Sequence, residues 1–189
     1  MTEIPANSLE SAADEELMTL TAKGRQEAFT HLVHRHQQPL VNFFRRMGVY
    51  NSAEDLAQET FVKLFKSRER YRPQAKFTTF LYLVARRTYI DYVRRQAREQ
   101  KKREAAAEQL VTEQAFGTAG ESRRAEAEEA LLKLSEDMRS VVVMNIYQGL
   151  KYQEIAEAMD IPVNTVKTRM FYAMRKLREI MTDDNASNP

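Results

Sequence analysis

The 189-residue chain is 43% hydrophobic, with no Cys, 5 Gly and 5 Pro, a composition that supports packed cores, removes disulfides and cysteine chemistry altogether, and argues against a turn-rich all-β fold. Its net charge of +2 conceals a strong segregation. Eight basic residues between Arg86 and Arg103 face two acids, five between Pro162 and Arg178 face none, and nine acids against three bases fill the interval from Glu104 to Asp137. Two basic stretches parted by an acidic one fit two contacts with one polyanion, or else two solvated helix faces. No run reaches the ~18 apolar residues of a membrane span. The N-terminus, MTEIPANSLESAADEE, lacks the basic-then-apolar order of a signal peptide, so a cytoplasmic location is expected.

Nearly every segment repeats its apolar residues at helical spacing, which predicts an all-α fold. A short helix is expected from Asp14 to Lys23, with Leu17 and Leu20 inward and Gly24 as its end. A second runs from about Gln26 to Met47, kinked or divided by Pro39 near Gln38. Ser52 and Asp55 have capping-box spacing before a third helix. Its inward stripe is Ala53, Leu56, Ala57, Thr60, Phe61, Leu64 and Phe65, which leaves Asp55, Gln58, Glu59 and Val62 on another face.

RYRPQAK (70–76) reads as a loop, and Thr78 or Thr79 can cap a fourth helix from about Phe80. That helix starts apolar nearly all round and turns basic and aromatic past Arg86. Residues 100–121 read as a frayed helix giving way to a charged linker, so the domains are expected at 14–99 and 122–182. In the second domain, helices are expected at Arg124–Leu134, Glu136–Gln148 (capped by Ser135), Tyr152–Met159 and Val163–Met181, followed by a disordered tail.

Tyr152 to Arg169 has helix-turn-helix form. Ile155, Ala156 and Met159 line the first helix, Asp160-Ile161-Pro162 makes the turn, and Val166 faces back to the core. Two helices crossing steeply need a small residue such as Ala156 at the crossing. The outer face of the second helix must offer hydrogen-bonding and basic groups to a major groove. Asn164, Thr165, Lys167, Thr168, Arg169, Phe171, Tyr172 and Arg175 are the candidates. Asp160 stands where the turn generally has Gly, and Asp tolerates positive φ.

Three strings in order, DLAQETFVKLF (55–65), FTTFLYLVARRTYIDYVRR (77–95) and KYQEIAEAMDIPVNTVKTRMFYAMRKLRE (151–179), make residues 14–181 resemble the extracytoplasmic-function sigma factors of bacterial RNA polymerase. The resemblance implies a σ2-type helical bundle joined to a σ4-type helix-turn-helix domain, and no catalytic residue or cofactor. It implies that Asp55, Gln58 and Glu59 dock on the clamp coiled coil of the β′ subunit, with σ4 at the β flap. It further implies that Arg72, Lys76, Phe77, Phe80, Arg87, Tyr92, Arg94 and Arg95 open and hold the −10 element. Aromatic surfaces and cations suit unstacked bases and phosphates respectively. The helix-turn-helix candidates would read the −35 duplex, and an anti-sigma factor is an expected partner.

Phe80 stands where many members have Trp, Arg87 where they have Asn, Tyr172 where a base is frequent, and Ser135 where Pro is frequent. The relatives' promoter preferences are therefore not transferred. The alternative reading is a polymerase-independent helix-turn-helix regulator, which leaves the DLAQETF helix without a role. A metal site at His31, His34 and His36 lacks a paired acid nearby in sequence. A structural helical adaptor leaves both basic stretches unexplained.

Overall fold

A computed structural model describes residues 9–73, 76–106 and 122–186, and these are helical with no strand. The α-helices are α1 (Asp14–Ala22), α2 (Gln26–Arg46), α3 (Ala53–Lys66), α4 (Phe77–Ala106), α5 (Ser122–Leu132), α6 (Glu136–Val142), α7 (Tyr152–Met159) and α8 (Val163–Ala186). A 3₁₀ turn (Arg68–Arg70) follows α3, and α6 runs on into a π-helical turn (Val143–Tyr147). None of the described helices is long and apolar enough to cross a membrane.

Helices α1 to α4 pack as a bundle. The stripe predicted for α3 is inward, with Ala53, Leu56, Ala57, Thr60, Phe61 and Leu64 all buried. Pro39 does not divide α2. A proline inside a helix removes one hydrogen bond and clashes with the preceding turn. Here Leu32 before it and Leu40, Val41, Phe43 and Phe44 after it are anchored in the core, which holds both halves in line. Ser52 and Ser135 make no side-chain cap bond, so the capping box expected at α3 is not formed.

Helix α4 begins at Phe77, three residues before the sequence signal. Its first turn is capped from elsewhere in the chain: the Glu15 carboxylate of α1 accepts the Phe77 N–H at 2.9 Å. Thr79, a candidate cap, is buried instead. At its other end α4 runs to Ala106, well into the expected linker, and residues 94–103 are exposed on every side. The remainder of that linker and the last three residues lie outside the described residues, while α8 continues past Met181 to Ala186.

The second unit, α5 to α8, docks on the first, and the buried apolar residues of both form one cluster. The Arg139 side chain is the main polar fastening. It donates to the carbonyls of Leu131 (2.9 Å), Leu132 (2.7 Å) and Leu134 (3.0 Å) at the end of α5, and to Met47 (2.9 Å) at the end of α2. Tyr89 also donates to the Met47 carbonyl, at 3.3 Å. Gly48 lies against this contact with φ +93°, and a Cβ there would come within 3.1 Å of Leu132 and 3.3 Å of Arg139. Only glycine combines that backbone with that proximity at no steric cost.

Candidate nucleic-acid interface

The helix-turn-helix is built as its sequence pattern requires. Ile155, Ala156 and Met159 are buried on α7, and Val166, Met170 and Ala173 on α8. Asp160 closes α7 in the left-handed region (φ 54°, ψ 50°). It is the one non-glycine with positive φ among the described residues. The Ile161 N–H then donates to the Ala156 carbonyl at 3.0 Å, which turns the chain into α8.

The outward face of α8 carries Asn164, Lys167, Thr168 and Phe171, all exposed, at i, i+3, i+4 and i+7. Phe171 is the most exposed of the large apolar side chains among the described residues, at 65%. Its ring lies 5.5 Å from that of Tyr172, and the Arg175 guanidinium covers the Tyr172 ring at 5.2 Å. Thr168 turns its hydroxyl back to the Asn164 carbonyl at 2.9 Å, leaving its methyl as the free group. Thr165 is half-buried. Arg169 departs from the expected row: it is half-buried and pairs with Asp137 of α6 at 2.6 Å. Its position on α8 directs it toward the domain's own α6.

In the first unit, Arg72, Arg87 and Arg94 are exposed. Arg95 is exposed, 3.9 Å from Glu59, with its guanidinium 6.0 Å from the Tyr92 ring. Phe80 is half-buried with its ring 5.5 Å from Tyr71. Phe77 is a correction to the expected surface set. It is wholly buried, its ring 5.1 Å from His36, because the Glu15 cap starts α4 at this residue and points it into the bundle. Lys76 is exposed but engaged: its ammonium lies 2.7 Å from the Glu154 carboxylate of α7.

On α3, Asp55 and Gln58 are exposed. Glu59 is tied to Lys63 at 2.9 Å, and Lys63 reaches Asp91 of α4 at 3.2 Å. Val62 continues this face, 52% exposed, beside a shallow apolar groove lined by Phe29, Phe61 and Phe65. Of the three histidines, His36 is held by Asp14 at 2.6 Å. Among the described residues no three His, Asp or Glu side chains group as a metal site.

The contacts between the two units were not signalled in the sequence. Tyr82 donates to the Gln148 amide oxygen across 66 residues, and burial pushes its phenol well above the ordinary value. Asp137 bridges Arg86 of α4 (3.3 Å) and Arg169 of α8. The Arg46 guanidinium covers the Tyr147 ring at 4.1 Å. Partial burial alone would push the Glu154 carboxyl up. The hydrogen bonds from Lys76 and the Lys151 N–H, with the charge of both lysines, outweigh it and hold the group below its ordinary value.

Both units match known families. Residues 32–99 match the Sigma-70 region 2 family and residues 124–177 match Sigma-70, region 4. The ECF RNA polymerase sigma-E factor of Haemophilus influenzae is 31% identical over 176 residues, covering 87% of this chain and 93% of that protein. Its Escherichia coli K12 counterpart is 30% identical over 175 residues, covering 87% and 92%. The solved structure of CnrH in complex with the cytosolic domain of CnrY covers 92% of this chain and 99% of its own at 26% identity, with a TM-score of 0.70. The sigma factor RpoE of Bartonella quintana, solved with the anti-sigma factor NepR, shares the fold at 21% identity, with a TM-score of 0.71 over 82% of this chain and 96% of its own. With both regions present in order, the chain belongs to the ECF sigma factors of RNA polymerase, DNA-binding initiation factors that are not themselves enzymes.

Proposed function

We propose that this sigma factor reads a −35 duplex with α8 and holds the opened −10 strand with the 71–95 segment, while core polymerase binds the exposed face of α3. The observation that carries the reading is the row Asn164, Lys167, Thr168 and Phe171, free on the outer face of a helix whose inner face is buried against α6 and α7. That row offers an amide, a cation and apolar groups at the spacing a major groove accepts. Arg175, beyond it, supplies charge for the phosphates.

For the −10 strand, Arg72, Lys76, Arg87, Arg94 and Arg95 supply cations, and Phe80 and Tyr92 supply partly open rings. Phe77 acts by shaping the bundle beneath them. Asp55, Gln58 and Glu59 offer the acidic docking face for the β′ clamp coiled coil, and the second unit meets the β flap. The relatives solved with CnrY and NepR support an anti-sigma factor as a further partner. Acting with core polymerase requires a cytoplasmic location.

Run-off transcription with purified core polymerase and a genomic promoter library, with and without the chain, tests the proposal. Specific transcripts dependent on the chain support it. A chain that footprints duplex DNA yet fails to bind core polymerase at low salt would instead be an independent regulator.

A further inference from the structure

Two side chains on the outer row of α8 offer carbon where a groove-reading helix usually offers nitrogen and oxygen. Phe171 is 65% exposed. Its ring meets that of Tyr172 edge-on, with centroids 5.5 Å apart and planes at 76°. The Arg175 guanidinium covers the Tyr172 ring in turn, at 5.2 Å, so Phe171 is braced without being buried. Thr168 stands three residues before Phe171, which makes the two neighbours on the helix surface. The Thr168 hydroxyl is occupied by the Asn164 carbonyl at 2.9 Å, and its methyl is the group left to offer a ligand.

A lone exposed apolar residue needs no explanation, whereas contiguous apolar groups mark a binding surface. The setting of this patch selects its occupant. Asn164 and Lys167 flank it, and residues 162–178 carry five cations and no acid. Such a surface suits a polyanion. The major groove of duplex DNA presents hydrogen-bonding edges at every base pair and one apolar group, the 5-methyl of thymine.

We infer that Phe171 and the Thr168 methyl together read the 5-methyl group of a thymine in the −35 duplex, which makes Phe171 a specificity-determining residue. The inference rests on the proposal that α8 reads this duplex, and it adds the base and the chemistry. Asn164 to Phe171 spans about 10 Å of helix, or about three base pairs at a rise of about 3.4 Å. The thymine therefore lies within about three base pairs of the one read by Asn164.

Deoxyuridine pairs as thymidine does and lacks only this methyl. The probe is a promoter duplex recovered by run-off transcription, with the thymines of its −35 element replaced by deoxyuridine one at a time. Binding is measured for the full chain on core polymerase. Replacement at one position should weaken binding by about fourfold, the worth of one buried methyl, and replacement elsewhere should matter little. F171A should bind the thymine duplex more weakly and no longer distinguish it from the deoxyuridine one. T168V, which keeps a methyl, should retain the response, and T168S should reduce it. Circular dichroism checks that the variants are folded. Affinity unchanged by every replacement, or a −35 element with no A·T pair, would overturn the inference and leave the −35 reading standing. A full deoxyuridine response in F171A would also overturn it. So would weaker assembly of F171A with core polymerase at an unchanged response, which would assign the ring to a protein contact. If no promoter is protected at −35, the duplex reading falls and this inference with it.

Discussion

The Glu15 carboxylate of α1 accepts the backbone N–H of Phe77, so the first helix of the chain fixes the starting residue of α4. The first four N–H groups of a helix have no partner within it, and a carboxylate there satisfies one and complements the helix dipole. Glu15→Ala should cost about 1 kcal/mol of stability, the usual effect of losing a cap. Urea unfolding followed by circular dichroism measures it. Loss of −10 strand affinity should accompany it, because Phe80 and Lys76 are placed from this point.

Arg139 answers four carbonyls in two units. Replacing it with Leu leaves those oxygens partly buried and unpaired, at about 3 kcal/mol in all. Lysine lacks the planar fork and should recover little of this. The midpoint of denaturant unfolding for R139L and R139K reads the difference directly.

Substitution on α3 should separate polymerase binding from DNA binding. D55R with Q58R reverses an exposed acidic face without touching the core stripe. Core polymerase affinity should fall by about tenfold or more, as reversed charge does at an electrostatically matched interface. Binding of −35 duplex should be unchanged. A parallel loss of both would place the α3 face in folding and not in docking.

On α8, Asn164→Ala should cost about 1–3 kcal/mol and relax preference at one base pair, while Lys167→Ala should weaken binding and reduce the salt slope by about 1 if its contact is a phosphate. Quantitative footprinting across a series of salt concentrations distinguishes the two patterns.

Two pH dependences follow from Glu154 and from the buried tyrosines of the bundle. Glu154 is held below the ordinary carboxylate value, so its contribution is present above the unfolded value and is lost as pH falls through the folded one. Burial, with the charges of Glu15 and Asp14, pushes Tyr71 up to about 12, and burial raises Tyr82 and Tyr89 as well. A raised phenol keeps its proton in the folded state after the unfolded state has lost it. Stability should therefore be retained below the ordinary tyrosine range and decline from about pH 10 upward. Tyrosine absorbance and circular dichroism recorded together over that range check this.

The parts legible in the sequence are those governed by local repetition. The α3 stripe, the buried faces of α7 and α8 and the positive φ at Asp160 all follow from spacing and residue type within one or two turns. The three motif strings in order were enough to indicate the family. What could not be read depends on pairs far apart in the chain. The start of α4 at Phe77 needs Glu15, 62 residues earlier. The undivided α2 needs the burial on both sides of Pro39. Lys76, read as a free cation, is taken by Glu154, and Arg169, read as part of the groove row, is taken by Asp137. Charge in a sequence does not reveal which opposite charge will reach it after folding.

Helix α4 has 30 residues, about 45 Å at its rise per residue, and its last turns clear the body of the bundle. Its first half, Phe77 to Tyr89, is clamped in the core, so the exposed stretch from Arg94 to Arg103, about 15 Å long, projects as an arm fixed at its base. The direction in which those cations point is therefore set by how α4 seats in the bundle.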